Sequence, residues 1–421
     1  MGKQLRIIFC ALWLTAYPAW GAEPARLPGA GVEELLELAQ QQNPELATMR
    51  LEAAAATERI SSAGALPDPV LRVELMDITN QGTNKAASLL PSQVGSTRYL
   101  AMQSVSFWGK RDLKREMAEA DANQAKGRTS ATWAELSARI KANFAQHYLV
   151  IRSRELTQEI LGLVSDLERI ARSRYSTGLA AQQDVIRAQV EQTGLRRELV
   201  MLETEHHHAM ARLNTLLRRA PDALLADPQR LRPIPAKLEF TALEDRLRAK
   251  NPQLFTMDAQ VMAAEKGREL ALRNRYPDFI FGLSPTQAGW QIKEWGLMVE
   301  LNIPLQQQPR RAQEREAETM LAVARSRKEG ALNQLLSDLA ENVLSLDAAR
   351  RVEALVGNSL LPQAEATFQA ALVGYQNGKV DFSTLLDAQR QIFKARLDVL
   401  NAQVEAQTRL AEIEKLLGED L

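Results

Sequence analysis

The chain has 421 residues, with 52 basic and 52 acidic side chains and a formal net charge of zero, so it lacks the basic surface that nucleic-acid binding demands. Aromatic residues make up only 5%, while Ala, Leu, Glu, Gln and Arg dominate. That mixture favours long helices over several compact cores.

The first segment reads as an export signal. Lys3 and Arg6 supply charge, and Ile7 to Ala16 is an apolar run too short to span a bilayer as a helix. Ala19-Trp20-Gly21 offers small residues at a cleavage site, so residues 1–21 are expected to be removed. Cys10, the only cysteine, would leave with them; the mature chain then has no disulfide and no thiolate metal site. Phe9 is bulky where a lipoprotein signal wants a small residue, so no lipidation is expected.

Residues 22–230 form a first structural repeat and 231–421 a second. In the first, Asn43-Pro44-Glu45-Leu46 leads to Leu66-Pro67-Asp68, followed by a strand at about 70–76. Leu71, Val73 and Leu75 alternate there with Arg72 and Glu74. Residues 77–96 have the Asn, Gly, Ser and Thr content of a loop, and 97–107 form a second strand. No proline occurs from Ser92 to Ala220. Within that stretch Leu136, Ile140, Phe144 and Tyr148 begin a narrow apolar stripe that continues through Leu156, Ile160, Leu163 and Leu167. A helix from Lys110 to Arg172 would be roughly 95 Å long, a length that suits a coiled-coil tube better than a globule. Gly178 closes it, and a second helix returns, so a helical hairpin spans about 110–218.

After a crossover marked by Pro221, Pro228, Pro233 and Pro235, the pattern repeats. Asn251-Pro252-Gln253-Leu254 leads to Tyr276-Pro277-Asp278, and strands are expected at about 279–284 and 295–303. Trp295, Leu297, Val299, Leu301 and Ile303 alternate against Gly296, Met298, Glu300 and Asn302. A helical hairpin follows at about 311–417. Pro362 should kink its first helix, and Gly162 should weaken the first repeat at the same level. Tyr175-Ser176-Thr177-Gly178 with Ala188-Gln189 matches Tyr375-Gln376-Asn377-Gly378 with Ala388-Gln389 at an offset of 200. Two such copies are expected to share one core about a pseudo-symmetry axis.

The strand alternation fits either a half-buried soluble hairpin or a barrel wall with lipid outside and water inside. Four strands cannot close a barrel, and open edges do not survive in lipid. Three copies would supply twelve strands and close it. No nucleophile elbow, phosphate-binding loop or metalloprotease pair is present, so no enzyme, cofactor or metal centre is expected. His206-His207-His208 point about 100° apart along a helix and read as a solvated stretch. Met102 and Met298 read as strand filler rather than soft-cation contacts.

Over roughly residues 31–418 the chain resembles the TolC family of outer-membrane efflux ducts. The resemblance rests on the duplicated Asn-Pro entry, the Pro-Asp step into a strand pair, Gly109-Lys110-Arg111, and the two Tyr-x-x-Gly turns, each followed by Ala-Gln. It implies a mainly α protein with membrane β structure. Duplicated αββα-type halves would build a trimeric 12-stranded outer-membrane β-barrel, continuous with a long α-helical coiled-coil periplasmic barrel. Its implied partners are two further copies, outer-membrane lipid, a periplasmic membrane-fusion adaptor and an inner-membrane RND-type transporter.

The resemblance also assigns residues. Tyr175, Thr177, Gly178 and Leu179, with Tyr375, Asn377, Gly378 and Lys379, would form the adaptor-docking tips. Lys379 replaces a small or apolar residue, so the two seams should differ. Asp184, Asp381 and Asp387 would contribute to a periplasmic constriction in which Thr384 replaces a second acid. Arg72, Glu74, Met298 and Glu300 would face the barrel lumen. Leu66-Pro67-Asp68-Pro69 and Gln103 to Lys110 resemble the heavy-metal group of the family, which makes metal cations the expected cargo and drugs or other small organic molecules the alternative. A reading of a different class, a soluble periplasmic coiled-coil scaffold or adaptor, predicts recovery without detergent.

Overall fold

In a computed structural model describing residues 27–80 and 86–421, each half runs through two short helices, a β-hairpin, a long helix and a returning helix. The expected signal at 1–21 lies outside the described residues. The first half contains α1 (Val32–Gln42), α2 (Pro44–Ala63), β1 (Val70–Met76), β2 (Ser96–Val105), α3 (Lys110–Ser176) and α4 (Gln182–Leu216). The second contains α5 (Phe240–Lys250), α6 (Pro252–Arg273), β3 (Phe279–Ala288), β4 (Gln291–Leu301), α7 (Gln307–Leu355), a π-helical turn (Val356–Leu360), α8 (Leu361–Gln376) and α9 (Phe382–Leu417). At 67 residues, α3 is about 100 Å long. Among the described residues, no helix is long and apolar enough to cross a membrane.

The Asn-Pro motifs break and restart a helix. The proline cannot donate to the preceding turn but suits the first turn of a new helix. Asn43 caps α2 by accepting from the amides of Glu45 (2.9 Å) and Leu46 (3.1 Å), and its Nδ2 donates to the carbonyl of Leu216 at the end of α4 (2.9 Å). Asn251 does the same for α6, accepting from Leu254 N (2.7 Å) and donating to Leu416 O at the end of α9 (2.7 Å). Each motif therefore fastens the returning helix of its own half. The short helices were signalled in the sequence only by these dipeptides.

The four strands form one antiparallel sheet in the order β1-β2-β3-β4, so β2 and β3 join the halves. The second hairpin is longer than its alternation suggested. β3 continues to Ala288 and β4 begins at Gln291, around a tight turn at Gly289, with a bulge between Thr286 and Gln287. β2 ends at Val105 rather than 107, and β4 at Leu301 rather than 303.

Two expectations about the long helices divide. Pro362 is accommodated by the π-helical turn just before it, whose wider ring relieves the clash between proline and the preceding turn. At Gly162 α3 continues without interruption; a side chain there would meet nothing within 4 Å. The π turn also carries one extra residue. Upstream of it, the buried pairs Leu136/Leu335, Ile140/Leu339, His147/Leu346 and Val150/Ala349 are each separated by 199 positions. Downstream, Val164/Ala364 and Ala171/Ala371 are separated by 200.

Between the halves, the crossover is pinned by buried charge. Glu414 on α9 accepts from Lys141 Nζ on α3 (2.7 Å) and receives both terminal nitrogens of Arg232 at 3.0 Å. Lys141 also pairs with Asp420.

Candidate functional site

Both tips are built alike. Gly178 and Gly378 adopt left-handed φ values of 74° and 69°. Each donates to the carbonyl of its motif tyrosine at 3.0 Å, and the next residue reaches one carbonyl further back: Leu179 N to Arg174 O and Lys379 N to Gly374 O, both 2.8 Å. This double closure satisfies carbonyls that the helix end leaves free, and glycine adopts its φ without a Cβ penalty. Thr177, Gly178, Leu179, Asn377, Gly378 and Lys379 are all exposed.

The two tyrosines are not equivalent. Tyr175 is 46% exposed, whereas Tyr375 is 3% exposed and sits in a core shared by α3, α4, α8 and α9, beside Phe382. Its hydroxyl hydrogen-bonds Asp184 of the first tip (3.3 Å), and the Arg174 guanidinium lies 5.0 Å from its ring centre. Arg174 also donates to Gln376 O and, at 3.2 Å, to Leu179 O. Burial and the Asp184 carboxylate push the Tyr375 phenol up to about 12. The tips of the two halves are thus locked to one another within one chain.

The four residues expected at a constriction have separate duties in this chain. Asp381 caps α9, accepting from Thr384 N (3.0 Å) and from the hydroxyls of Ser383 (2.7 Å) and Thr384. Those hydroxyls and the Thr384 amide hold its carboxyl down at about 2. Asp184 serves Tyr375. Asp387 is exposed and lies 3.4 Å from Arg390, which binds Glu191 more closely at 2.6 Å. Of the four, Asp387 alone has its carboxylate largely in solvent without a capping or inter-tip role.

The strand register places Arg72, Glu74, Met298 and Glu300 on one sheet face. Arg72 lies opposite Leu100 and Glu74 opposite Arg98; Met298 and Met102 flank Gly282; Glu300 lies opposite Ile280. Glu74 pairs with Arg72 (3.8 Å) and Arg98 (3.6 Å). Met102 and Met298 pack around Gly282, where a Cβ would meet Met298 Cε at 3.1 Å, consistent with filler. The opposite face carries Leu71, Val73, Phe281, Leu283, Trp295, Leu297, Val299 and Leu301, all exposed. An apolar face this extensive needs a covering medium.

Sheet and helices meet at the Gly109-Lys110-Arg111 step. Lys110 Nζ donates to Asp278 Oδ1 and Tyr276 O, both at 2.9 Å, and Arg111 Nε donates to Gly64 O (2.8 Å). Gly109 has φ 82°, and a Cβ on it would come within 2.7 Å of Arg273 Nη1.

The histidine run resolves into one inward and two outward residues. His207 and His208 are exposed. His206 turns in and stacks on His147 of α3, with ring centres 5.1 Å apart and planes 27° apart. Asp227 of the crossover completes the group. Burial, followed by the charge of His206, lowers His147 to about 4; burial also lowers His206, against the opposing pull of Asp227. The sequence carried no sign of this pairing, because His147 lies on a different helix within a plain apolar stripe.

A family model described as outer membrane efflux protein matches residues 35–217 and 243–419. The cobalt-zinc-cadmium resistance protein CzcC of Cupriavidus metallidurans is 22% identical over 96% of this chain and 92% of its own length. The pyoverdine export outer membrane protein OpmQ of Pseudomonas aeruginosa is also 22% identical, over 92% of this chain and 83% of its own. Among solved structures, the outer membrane protein VceC of Vibrio cholerae superposes with a TM-score of 0.77 at 18% identity, covering 92% of this chain and 96% of that one.

Proposed function

Because this chain belongs to the outer membrane efflux protein family, whose members are channels and not enzymes, we propose that three copies form the passive exit duct of a tripartite heavy-metal efflux system. The observation that carries the duct reading is the four-stranded sheet itself. One face is apolar and exposed, the other carries Arg72, Glu74, Arg98 and Glu300, and among the described residues neither edge strand has a second partner. In lipid those edges must be closed, and three copies close them into twelve strands. The charged face then lines the lumen. The exposed tips around Gly178 and Gly378 receive the helical hairpins of a periplasmic adaptor, and an inner-membrane RND-type transporter supplies the energy.

Metal cations are the favoured cargo because the similarity to CzcC spans nearly the whole of both chains and accompanies the Leu66-Pro67-Asp68-Pro69 step. The equal identity to OpmQ supports export of a larger organic molecule as the alternative. A strain lacking the gene should become sensitive to cobalt, zinc or cadmium and recover with the wild-type copy. Sensitivity or export loss confined to organic compounds would establish the alternative. Leu297→Arg, on the apolar face, should fail to restore resistance because it prevents assembly, at a cost of about 2–4 kcal/mol if it lies near the bilayer midplane. Recovery of the wild-type protein in a detergent-free soluble fraction would rule out the duct.

A further inference from the structure

We propose that His147, His206 and Asp227 form a resident binding site for a divalent transition-metal ion that prefers imidazole ligands, such as zinc, and that this ion clamps the crossover onto the first helical hairpin.

Three independent elements converge here: α3 supplies His147, α4 supplies His206 and the crossover supplies Asp227. One ligand atom from each lies within 4.8 Å of the other two. His147 is 1% exposed, and its Nε2 is buried with no hydrogen-bond partner among the described residues; the same holds for Nε2 of His206. The His206 nitrogen stands 3.7 Å from Asp227 Oδ1, too far for a hydrogen bond. The carboxylate is half in solvent, with its side chain 54% exposed, but the two imidazole nitrogens facing it are buried and unsatisfied, which is costly unless something bridges them. A cation with nitrogen and oxygen bonds of about 2 Å does so after a modest contraction of the group.

Comparison of the two halves adds a separate argument. In the register set by the π turn, the position of His147 corresponds to Leu346 and that of His206 to Ala406. Both are buried in the apolar core of the second half. The first half thus replaces a hydrophobic contact between two antiparallel helices with a pair of imidazoles, and places an acid from the crossover beside them. One site per chain follows. The competing arrangement is an ion pair alone, in which Arg154 approaches Asp227 at 4.0 Å. Two nitrogen ligands and one oxygen select zinc, cobalt or nickel over calcium or magnesium.

The site is independent of the cargo and of trimer formation, so its failure would leave the efflux reading untouched. The test uses the full-length mature protein in detergent, purified without a polyhistidine tag and stripped with a chelator. Calorimetric titration with zinc chloride should show one ion per chain. Cobalt chloride at the same site should give the visible absorption of a nitrogen- and oxygen-ligated ion. His206→Gln and Asp227→Asn should each weaken binding at least about tenfold, a loss typical of removing a supporting group from a metal site. His208→Gln, on the exposed side of α4, should leave it unchanged. Asp227→Asn guards against misfolding, because it conserves the shape of a side chain that is 54% exposed. The proposal is overturned if zinc does not bind, if binding survives both His206→Gln and Asp227→Asn, or if it is lost with His208→Gln. It is also overturned if Asp227→Asn alters thermal stability equally with and without zinc, which is the behaviour of an ion pair alone.

Discussion

Lys110, the first residue of α3, reaches from the first half to Asp278, the acid that precedes β3 in the second, at 2.9 Å. The same Asp278 oxygen accepts from the amide of Phe107 (2.8 Å), whose ring stacks on Tyr276 at 4.5 Å. Burial pushes the Asp278 carboxyl up, but the Phe107 amide and the Lys110 ammonium outweigh it and leave the group below its usual range. One carboxylate therefore holds together the end of the first hairpin, the start of the first long helix and the start of the second hairpin.

Asp278→Ala should destabilise the protein by about 1–3 kcal/mol, because Lys110 is only 5% exposed and loses its anion while the Phe107 amide loses its acceptor. Lys110→Met combined with Asp278→Ala should recover part of the loss, since no buried charge remains unpaired. Thermal unfolding of the detergent-solubilised protein measures both. An Asp278→Ala protein as stable as wild type would show that the contact contributes nothing.

Gly178→Val and Gly378→Val should each cost about 1–2 kcal/mol at their turns, because a branched side chain is forced into a left-handed conformation. Export and outer-membrane abundance should persist, while cross-linking to the adaptor should fall. Undiminished cross-linking by both variants would move the docking site away from the tips.

Arg174→Ala should loosen the first tip from the second, because it removes the donors to Gln376 O and Leu179 O and the cation over Tyr375. Tyr375→Phe should do so more weakly, by about 0.5–1.5 kcal/mol for one hydrogen bond. Tyr175→Phe, at the exposed counterpart, should be silent. Single-channel conductance in planar bilayers should rise in the order Tyr175→Phe, Tyr375→Phe, Arg174→Ala; equal conductance in all three would exclude the tip lock as a gate element.

Asp387 and Asp381 should separate cleanly. Asp387→Ala should lower cation selectivity with little change in stability, since its carboxylate faces solvent. Asp381→Ala should instead fray the first turn of α9. The folded pKa of Asp381 is depressed to about 2 from 3.8, so its stabilisation is fully present above pH 4 and is lost as the pH falls through about 2. Hydrogen exchange of the Thr384 amide should accelerate over that window beyond its intrinsic pH dependence, and Asp381→Asn should abolish the extra acceleration. Unchanged selectivity in Asp387→Ala would make that residue an ordinary surface charge.

The sequence made visible whatever repeats with a fixed period. Strand alternation separated Arg72 and Glu74 from Leu71 and Val73, and the apolar stripe with its closing glycines located both helical hairpins. Tip closure was legible because a left-handed turn restricts residue type at Gly178 and Gly378. Pairings that depend on the lateral register of two long helices left no such trace. Nothing local distinguishes Tyr375, which is buried against Asp184, from Tyr175, which is exposed. His147 looks like any other member of its stripe until α4 is laid beside it. Asp381 entered the constriction only as a substitute for the acid missing at Thr384, yet an acid just before the first residue of a helix is also a cap, and position alone does not decide between them.

The π turn at Val356–Leu360 makes the two halves non-interchangeable. An extra residue in a continuous α-helix would rotate everything upstream by about 100° and turn the apolar stripe of α7 away from α9. The widened turn confines that residue to a single loop of backbone, so Leu335, Leu339 and Leu346 remain buried. A gene duplication is thereby released from keeping its copies equal in length: insertions survive where a helix can locally widen. A chimaera carrying two first-half hairpins would place Gly162 where the second half has Pro362, and would lose the π turn that sets the second long helix apart from the first.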